Sequence, residues 1–384
     1  MGRNRWMAAM KLKFKINWRN MDHIFLLTLL ALTAYGLVMV FSASAPSAFY
    51  IKEDSMYFFK NQALWSVVGF GVMFLFSAID YKFLKKLILP IYVFGLILLL
   101  GVAVFGKTIN GAKRWLDFGF STIQPSEFVK ITIVMACALL LAEVKTISVK
   151  KTLVHLVGCG LIILLPAIFL LFQPHFSAII IICLTVGVMM LAAGIPFRIF
   201  SGIAALAVVL GGIFILLEPY RLQRVLSFID PFADKTGSGW QAVQSLYAIG
   251  SGGFSGLGLG RSRQKFLYIP EPQNDFIFSI ACEELGFLGA LAVLLLFALL
   301  LYRAVRIAMR APDRYSMLLT FGLISLTIVQ VLLNLGVATS SIPPTGIPLP
   351  FFSAGGSSFV FQMMSMGMIL NISSQRDSGE LTHI

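Results

Sequence analysis

The chain has 384 residues, 58% of them hydrophobic and 12% charged, with a formal net charge of +13. A charged fraction about half that of soluble globular proteins excludes that class. The Lys and Arg are spread over short segments between apolar runs instead of forming one basic face, so the charge points to a membrane and no nucleic acid.

Residues 1–23 carry six basic residues and no apolar run that ends in a small-residue cleavage site, which predicts a retained cytoplasmic basic tail and no signal peptide. Apolar runs near the ~20 residues needed to cross a bilayer as helix then recur along the chain. They predict ten spans at 24–44, 60–79, 87–106, 127–143, 153–172, 176–193, 198–217, 276–302, 317–339 and 351–372. The pair at 153–172 and 176–193, separated by QPH, reads either as a tight helical hairpin or as one broken passage. The expected fold is an all-α integral membrane protein of about ten transmembrane helices, one domain over 24–372, with a cytoplasmic tail at 373–384. A long extracytoplasmic loop at 218–275 lies between spans seven and eight. With both termini inside, eighteen Lys and Arg fall in cytoplasmic segments and five in short outer loops, as the positive-inside rule favours. The four cysteines, Cys137, Cys159, Cys183 and Cys282, all lie inside apolar runs, where a thiol is a small hydrophobe. They imply neither a disulfide framework nor a zinc site.

Three polar islands interrupt the apolar pattern. The first is NGAKRWLDFGFSTIQPSEFVK, before span four. Trp115 there is either an interfacial belt residue or a platform for a sugar or lipid headgroup, with Lys113 and Arg114 beside it as candidate substrate contacts. Glu127 and Lys130, spaced i, i+3, can pair and so lower the cost of burying either.

The second island spans 218–284. In YRLQRVLSFI the apolar residues have helical spacing with Arg221 and Arg224 opposite, which reads as a surface-lying helix or as a span end with snorkelling arginines. WQAVQSLYAI follows as a short helix or re-entrant piece. GSGGFSGLGLGRSRQK lacks the GK[ST] ending of a P-loop and follows no strand, so it does not read as a nucleotide site. Its glycines either give the loop flexibility or expose N–H groups that, with Arg261, Arg263 and Lys265, could hold a diphosphate. Asp275, at the loop's junction with span eight, is either an N-cap or a partly desolvated carboxylate suited to accept a proton, roles that are compatible; Glu271 is the reserve candidate. Glu283 and Glu284 follow at membrane depth, one expected to face the cavity of Asp275, or else to tie spans together through an internal hydrogen bond.

The third island, TSSIPPTGIPLPFFSAGGSS, has too many prolines and glycines for a continuous helix and reads as a re-entrant loop, with Thr345 and Ser353 bordering a polar pocket.

These islands resemble the SEDS family, the shape, elongation, division and sporulation proteins represented by RodA, FtsW and SpoVE. The resemblance rests on GAKRWLDFG, QPSEFVKI, YRLQRVLSFIDP, GSGWQAVQSLYAIGSGGFSGLGLG, IPEPQNDFIFSIACEELGFLG and PPTGIPLPFFSAGGSS, which cover most of 108–372. DFIFSIACEELGFLG is most similar to the FtsW and SpoVE type. The resemblance implies a peptidoglycan glycosyltransferase that polymerises lipid II, the undecaprenyl-diphosphate-linked muropeptide, on the outer face of the cytoplasmic membrane, working with a class B penicillin-binding protein. It implies an essential role for Asp275, a requirement for Trp115, and a central cavity lined by Glu127 and Lys130. Two departures stand out: His175 replaces the acidic residue of the family's QPDxG, and Ala354 replaces the Tyr of its LPxxSYGGSS. Net inversion from an α-linked diphosphate to a β-1,4 bond needs one carboxylate as general base, here Asp275, with Arg261, Arg263, Lys265 or a divalent cation (Mg or Mn) steadying the leaving group. The competing readings are a lipid II transporter, which the missing internal repeat disfavours, and a non-catalytic division scaffold.

Overall fold

Lipid offers no partner to a backbone N–H or C=O, and the apolar runs accordingly fold as helices whose hydrogen bonds are internal. The computed structural model describes residues 18–109, 112–119, 121–144, 149–216, 228, 232, 239–266 and 268–375, and the structural statements concern these residues. Ten helices answer the ten predicted spans: α1 His23–Lys52, α2 Tyr57–Ala78, α4 Ile88–Phe105, α5 Pro125–Ala142, α6 Val149–Phe172, α7 Phe176–Ala192, α8 Phe197–Leu216, α10 Ile277–Met309, α11 Arg314–Ala338 and α12 Gly356–Ser374. The short α3 (Tyr81–Lys86) lies between α2 and α4, and α9 (Trp240–Gly252) falls on WQAVQSLYAI. Seven of the ten are long and apolar enough to cross a membrane by length and composition alone. The chain is a multi-pass membrane protein.

The pair α6 and α7 is a hairpin of two helices. Gln173 N donates to Phe169 O (3.1 Å) and His175 N to Leu170 O (2.9 Å), closing the turn between them. Three predicted boundaries move. α1 runs on to Lys52, beyond the predicted 44. α12 begins at Gly356 and not at 351, because Pro348, Pro350 and a left-handed Phe351 (φ 63°) keep the preceding backbone irregular. α10 continues to Met309, beyond the predicted 302, its Arg303 reaching a partner on α1. The sequence reading also missed a small antiparallel sheet in the first island, β1 Lys107–Ile109, β2 Ala112–Asp117 and β3 Thr122–Ile123, in the order β1-β2-β3.

The bundle has two distinct ends. At one end Asp22 N donates to Ser373 Oγ (3.2 Å), and Arg303 grips the Asp22 carboxylate through Nε (3.1 Å) and Nη2 (2.7 Å). There too the Tyr81 hydroxyl donates to Asp313 (2.5 Å) and the Tyr81 amide to Asn371 Oδ1 (3.0 Å). The first and last described helices thus meet at one end. The opposite end carries the sheet, the α6–α7 turn, the irregular segment 339–355 and the start of α10.

Close approach of small residues joins α2 to α12, as is usual where helices lack a hydrophobic drive to associate in lipid. A Cβ on Gly367 would stand 2.3 Å from Met73 O, and one on Gly69 would stand 2.5 Å from the Phe359 ring. Gly71, on the same helix α2, has nothing within 4 Å of such a Cβ. Gly367→Val is therefore expected to lower stability by about 1–3 kcal/mol or more through overpacking, read as a lower unfolding midpoint in detergent, whereas Gly71→Ala leaves the midpoint unchanged or raised.

Candidate active site

Asp275 lies just before the N-terminal end of α10. The N-cap of that helix is Phe276, with no side-chain cap bond, so Asp275 does not serve as the cap that its position in sequence allowed. Its backbone is held instead. Asn334 Nδ2, on α11, donates to Asp275 O (2.7 Å) and to Ile347 O (2.8 Å). Ala354 N donates to Gln273 O (2.9 Å), and Ser353 Oγ donates to Asn274 O (2.6 Å) while accepting from Leu349 N (2.8 Å). These bonds sew the segment before α10 to the irregular segment before α12, which reads as the expected re-entrant loop. A Cβ on Gly346 (φ 66°) would lie 3.6 Å from Asp275 Oδ2, so the carboxylate stands against that loop. Among the described residues no donor bonds to it. Burial, and after it repulsion from Glu271, pushes the Asp275 carboxyl up to about 6 from 3.8. Glu271 itself is exposed and accepts from Asn274 Nδ2 (2.7 Å).

A cleft lies beside this point, walled by α5, α7, α11, α12 and the loop at 346–355. Asp275 does not itself line it, but its carboxylate stands against Gly346, which does. Glu127 and Lys130 line it as the pair that their spacing predicts, 2.9 Å apart with side chains 12% and 4% exposed. His175, Gln330, Gln362 and Ser353 line it as well. The sequence reading had not singled out Gln330, Asn334 or Gln362. The signal available was their i, i+4 placement on one face of α11 for the first two, and for Gln362 an amide inside an apolar span.

Other candidates are drawn into the scaffold. Lys113 Nζ donates to the carbonyls of Ala103 (2.8 Å) and Val104 (3.1 Å), closing the end of α4. Arg114 donates to Gln173 O (3.2 Å) and to Pro174 O, tying the sheet to the α6–α7 turn. Both cations are engaged by backbone and do not stand open to a substrate as expected. Trp115 sits half-buried on β2, paired in register with Lys107. The hydroxyl of Ser353, though at the cleft, is used in bracing the loop.

The glycine-rich segment after α9 is also structural. α10 breaks at Gly286 (φ 65°, ψ −161°), and the segment docks into the break. Leu257 N donates to Glu283 O (3.0 Å), Gly258 N to Glu284 O (2.9 Å) and Phe287 N to Gly253 O (2.9 Å). A Cβ on Gly256 would stand 2.2 Å from Glu284 O, so these glycines permit backbone contact, and the Leu257 and Gly258 amides are not available for a diphosphate. Neither Glu283 nor Glu284 lines the cleft. Glu283 accepts from Ser262 Oγ (2.5 Å), Arg263 N (2.9 Å) and Gln264 N (3.4 Å). Glu284 accepts from Ser42 Oγ (2.5 Å), Ser262 N (3.2 Å) and Lys265 Nζ (2.8 Å). Lys265, 3% exposed, is thus the partner of Glu284 and not a free cation for a substrate. Arg261 and Arg263 stay exposed. Arg221, with the segment YRLQRVLSFI, lies outside the described residues. Among the described residues no three His, Cys, Asp or Glu side chains converge to hold a metal ion.

Residues 22–378 match the family model of FtsW, RodA and SpoVE, described as cell cycle proteins. Over 355 residues the chain is 42% identical to stage V sporulation protein E of Bacillus subtilis (strain 168), covering 91% of this chain and 95% of that protein. Over 370 residues it is 36% identical to a probable peptidoglycan glycosyltransferase FtsW of Trichlorobacter lovleyi, covering 94% and 95%. Its fold is similar to a chain of a peptidoglycan synthase complex solved for its coordination of polymerization and crosslinking, with a TM-score of 0.78 and 30% identity over 94% of this chain and 100% of that one. Against the rod shape determining protein RodA of Thermus thermophilus the TM-score is 0.69, at 26% identity over 94% of this chain and 100% of that one.

Lys265→Met strands the buried Glu284 carboxylate and is expected to cost about 3–5 kcal/mol, whereas the double change Lys265→Met, Glu284→Met recovers only the part due to the stranded charge, because Ser42 Oγ and Ser262 N then lose their acceptor. Unfolding midpoints of the purified single and double variants in one detergent check this.

Proposed function

Because the chain belongs to the FtsW, RodA and SpoVE family of cell cycle proteins, we propose that it is a peptidoglycan glycosyltransferase that polymerises lipid II into β-1,4 glycan strands, with Asp275 as general base. The observation that carries this reading is the Asp275 carboxylate, fixed by its backbone, without a described donor of its own, at the rim of the cleft. A base must be ionised at working pH and still basic enough to take a proton. A carboxyl near 6 is mostly ionised at pH 7 and is a stronger base than an exposed one.

The donor sugar leaves from an α-linked lipid diphosphate as the acceptor 4-hydroxyl attacks from the opposite face. Asp275 accepts that hydroxyl proton. No second carboxylate is needed, since no covalent glycosyl intermediate intervenes in an inverting step. Arg261 and Arg263, exposed on the segment docked against α10, are the proposed cations that meet the diphosphate charge as it develops. The buried Glu127–Lys130 pair presents a polar wall to the sugars, and Trp115 offers an aromatic face at the membrane surface.

Residues 22 and 373 meet at the end opposite Asp275, which supports a topology with both termini cytoplasmic and the reaction on the outer side of the cytoplasmic membrane. A class B penicillin-binding protein is the proposed partner, crosslinking the strands that this chain makes.

Asp275→Asn is expected to lower glycan synthesis from purified lipid II by at least ~10²-fold, the usual contribution of a general base, while the protein remains folded and able to bind its partner. Substantial polymer from that variant would remove Asp275 from the role. Glycan synthesis by the native chain should fall tenfold per pH unit below about pH 6, where Asp275 takes up its proton. Stability moves the other way. The raised carboxyl disfavours the folded state increasingly from pH 3.8 to about 6 and by a constant amount above that. At pH 8 Asp275→Asn should therefore unfold at a midpoint no lower than the native chain, and the difference should vanish below pH 4.

A further inference from the structure

The cleft contains two polar atoms that the fold leaves without partners. Most of its polar side chains are consumed internally: Lys130 by Glu127 (2.9 Å), Ser177 Oγ by Thr345 O (2.6 Å), and Ser353 by Asn274 O and Leu349 N. Gln330 Oε1 accepts from Gln362 Nε2. That leaves His175 Nδ1, at the start of α7, and Gln362 Oε1, on α12. Both atoms are buried without a hydrogen-bond partner, and both residues line the cleft. His175 is 9% exposed. Buried polar groups in folded proteins are almost always satisfied; of the twelve buried side-chain atoms without a partner among the described residues, these two belong to residues that line the cleft, where a ligand can supply what the protein does not.

The chemistry of that ligand follows from what is unanswered. Gln362 Oε1 is an acceptor and requires a donor. Burial, followed by the charges of Arg114 and Lys130, pushes the His175 imidazole down to about 3, so the ring is neutral and carries one donor and one acceptor nitrogen. A phosphate or carboxylate brings acceptors only and leaves Gln362 Oε1 unanswered. An ammonium brings donors only and leaves a His175 Nδ1 that carries its proton unanswered. A secondary amide brings one N–H and one C=O, held in a plane.

We propose that His175 and Gln362 form an amide-reading subsite, which holds the acetamido group of the N-acetylated hexosamine that enters the cleft. The proposal rests on the glycosyltransferase reading above and adds to it a pair of specificity-determining residues. The subsite, with the ring proton on His175 Nδ1, selects N-acetylated over N-deacetylated sugar: the acetamide C=O accepts from Nδ1 and its N–H donates to Gln362 Oε1, whereas an ammonium can only donate and answers Gln362 alone.

The test uses the full chain in nanodiscs. Binding of lipid II, and of a lipid II analogue N-deacetylated on its hexosamines, is measured in the Asp275→Asn background, where turnover does not interfere. The expected result is a preference of about 10–100-fold for the acetylated lipid. His175→Phe and Gln362→Leu should each weaken lipid II binding about tenfold and change binding of the deacetylated analogue less than threefold. In chains that keep Asp275 the same two changes should raise KM about tenfold and move kcat less than threefold. His175→Asn, which retains a donor and an acceptor, should restore much of the preference. Equal weakening of both lipids in His175→Phe and Gln362→Leu would show general damage to the cleft and overturn the proposal. Unchanged preference in both would show that water alone satisfies the two atoms, which overturns it as well. Failure of the native chain to make glycan would count against the glycosyltransferase reading and leave the measured preference standing, so the two ideas fail separately.

Discussion

Inside a bilayer no water reaches the backbone, and an unsatisfied N–H or C=O there costs several kcal/mol. This constraint organises the end of the molecule that carries the cleft, because the two segments that build the site, the one before α10 and the one before α12, are not helical. Their backbone bonds come from side chains and from neighbouring backbone instead. Glu283 and Glu284 accept from three consecutive amides, those of Ser262, Arg263 and Gln264. Asn334 spans two carbonyls on different segments with one amide nitrogen. The buried Lys265–Glu284 pair belongs to the same structure. Alone, such a pair recovers its desolvation cost only with difficulty, but here the carboxylate also binds Ser42 and Ser262.

The polar residues at that end divide into those consumed in holding irregular backbone and those with bonding capacity left over. Asp275 belongs to the second group for a definite reason. An aspartate beside a helix start ordinarily caps it, and losing that cap costs about 1 kcal/mol. Here α10 goes without a side-chain cap, and the carboxylate stays available at the rim of the cleft. The local rule is broken where chemistry is proposed, in keeping with the general pattern that such conflicts concentrate at functional sites.

Much of the bundle was legible in the sequence, since length and hydropathy alone placed all ten spans to within several residues. The Glu127–Lys130 pair was legible too, because its partners lie on one helix turn. What could not be read was the fate of residues whose partners are remote. Lys265 as a substrate cation and Lys265 as a buried counter-ion look identical in one dimension; the decision depends on Ser42, 223 positions away. The glycine cluster is ambiguous in the same way, since exposed amides for a phosphate and close docking against α10 both call for glycine. The sheet β1–β3 was hidden because its strands are two to six residues long, too short for an alternating pattern to stand out.

The meeting of Asp22 with Arg303 and Ser373 bears on how the molecule is made. Asp22 enters the membrane surface with the first helix, while its partners lie 281 and 351 positions downstream. During synthesis its carboxylate has local work only, accepting from Phe25 N at the start of α1. The contacts of the first span are therefore completed only when α10 and α12 are in place, and until then its start is held by its local cap.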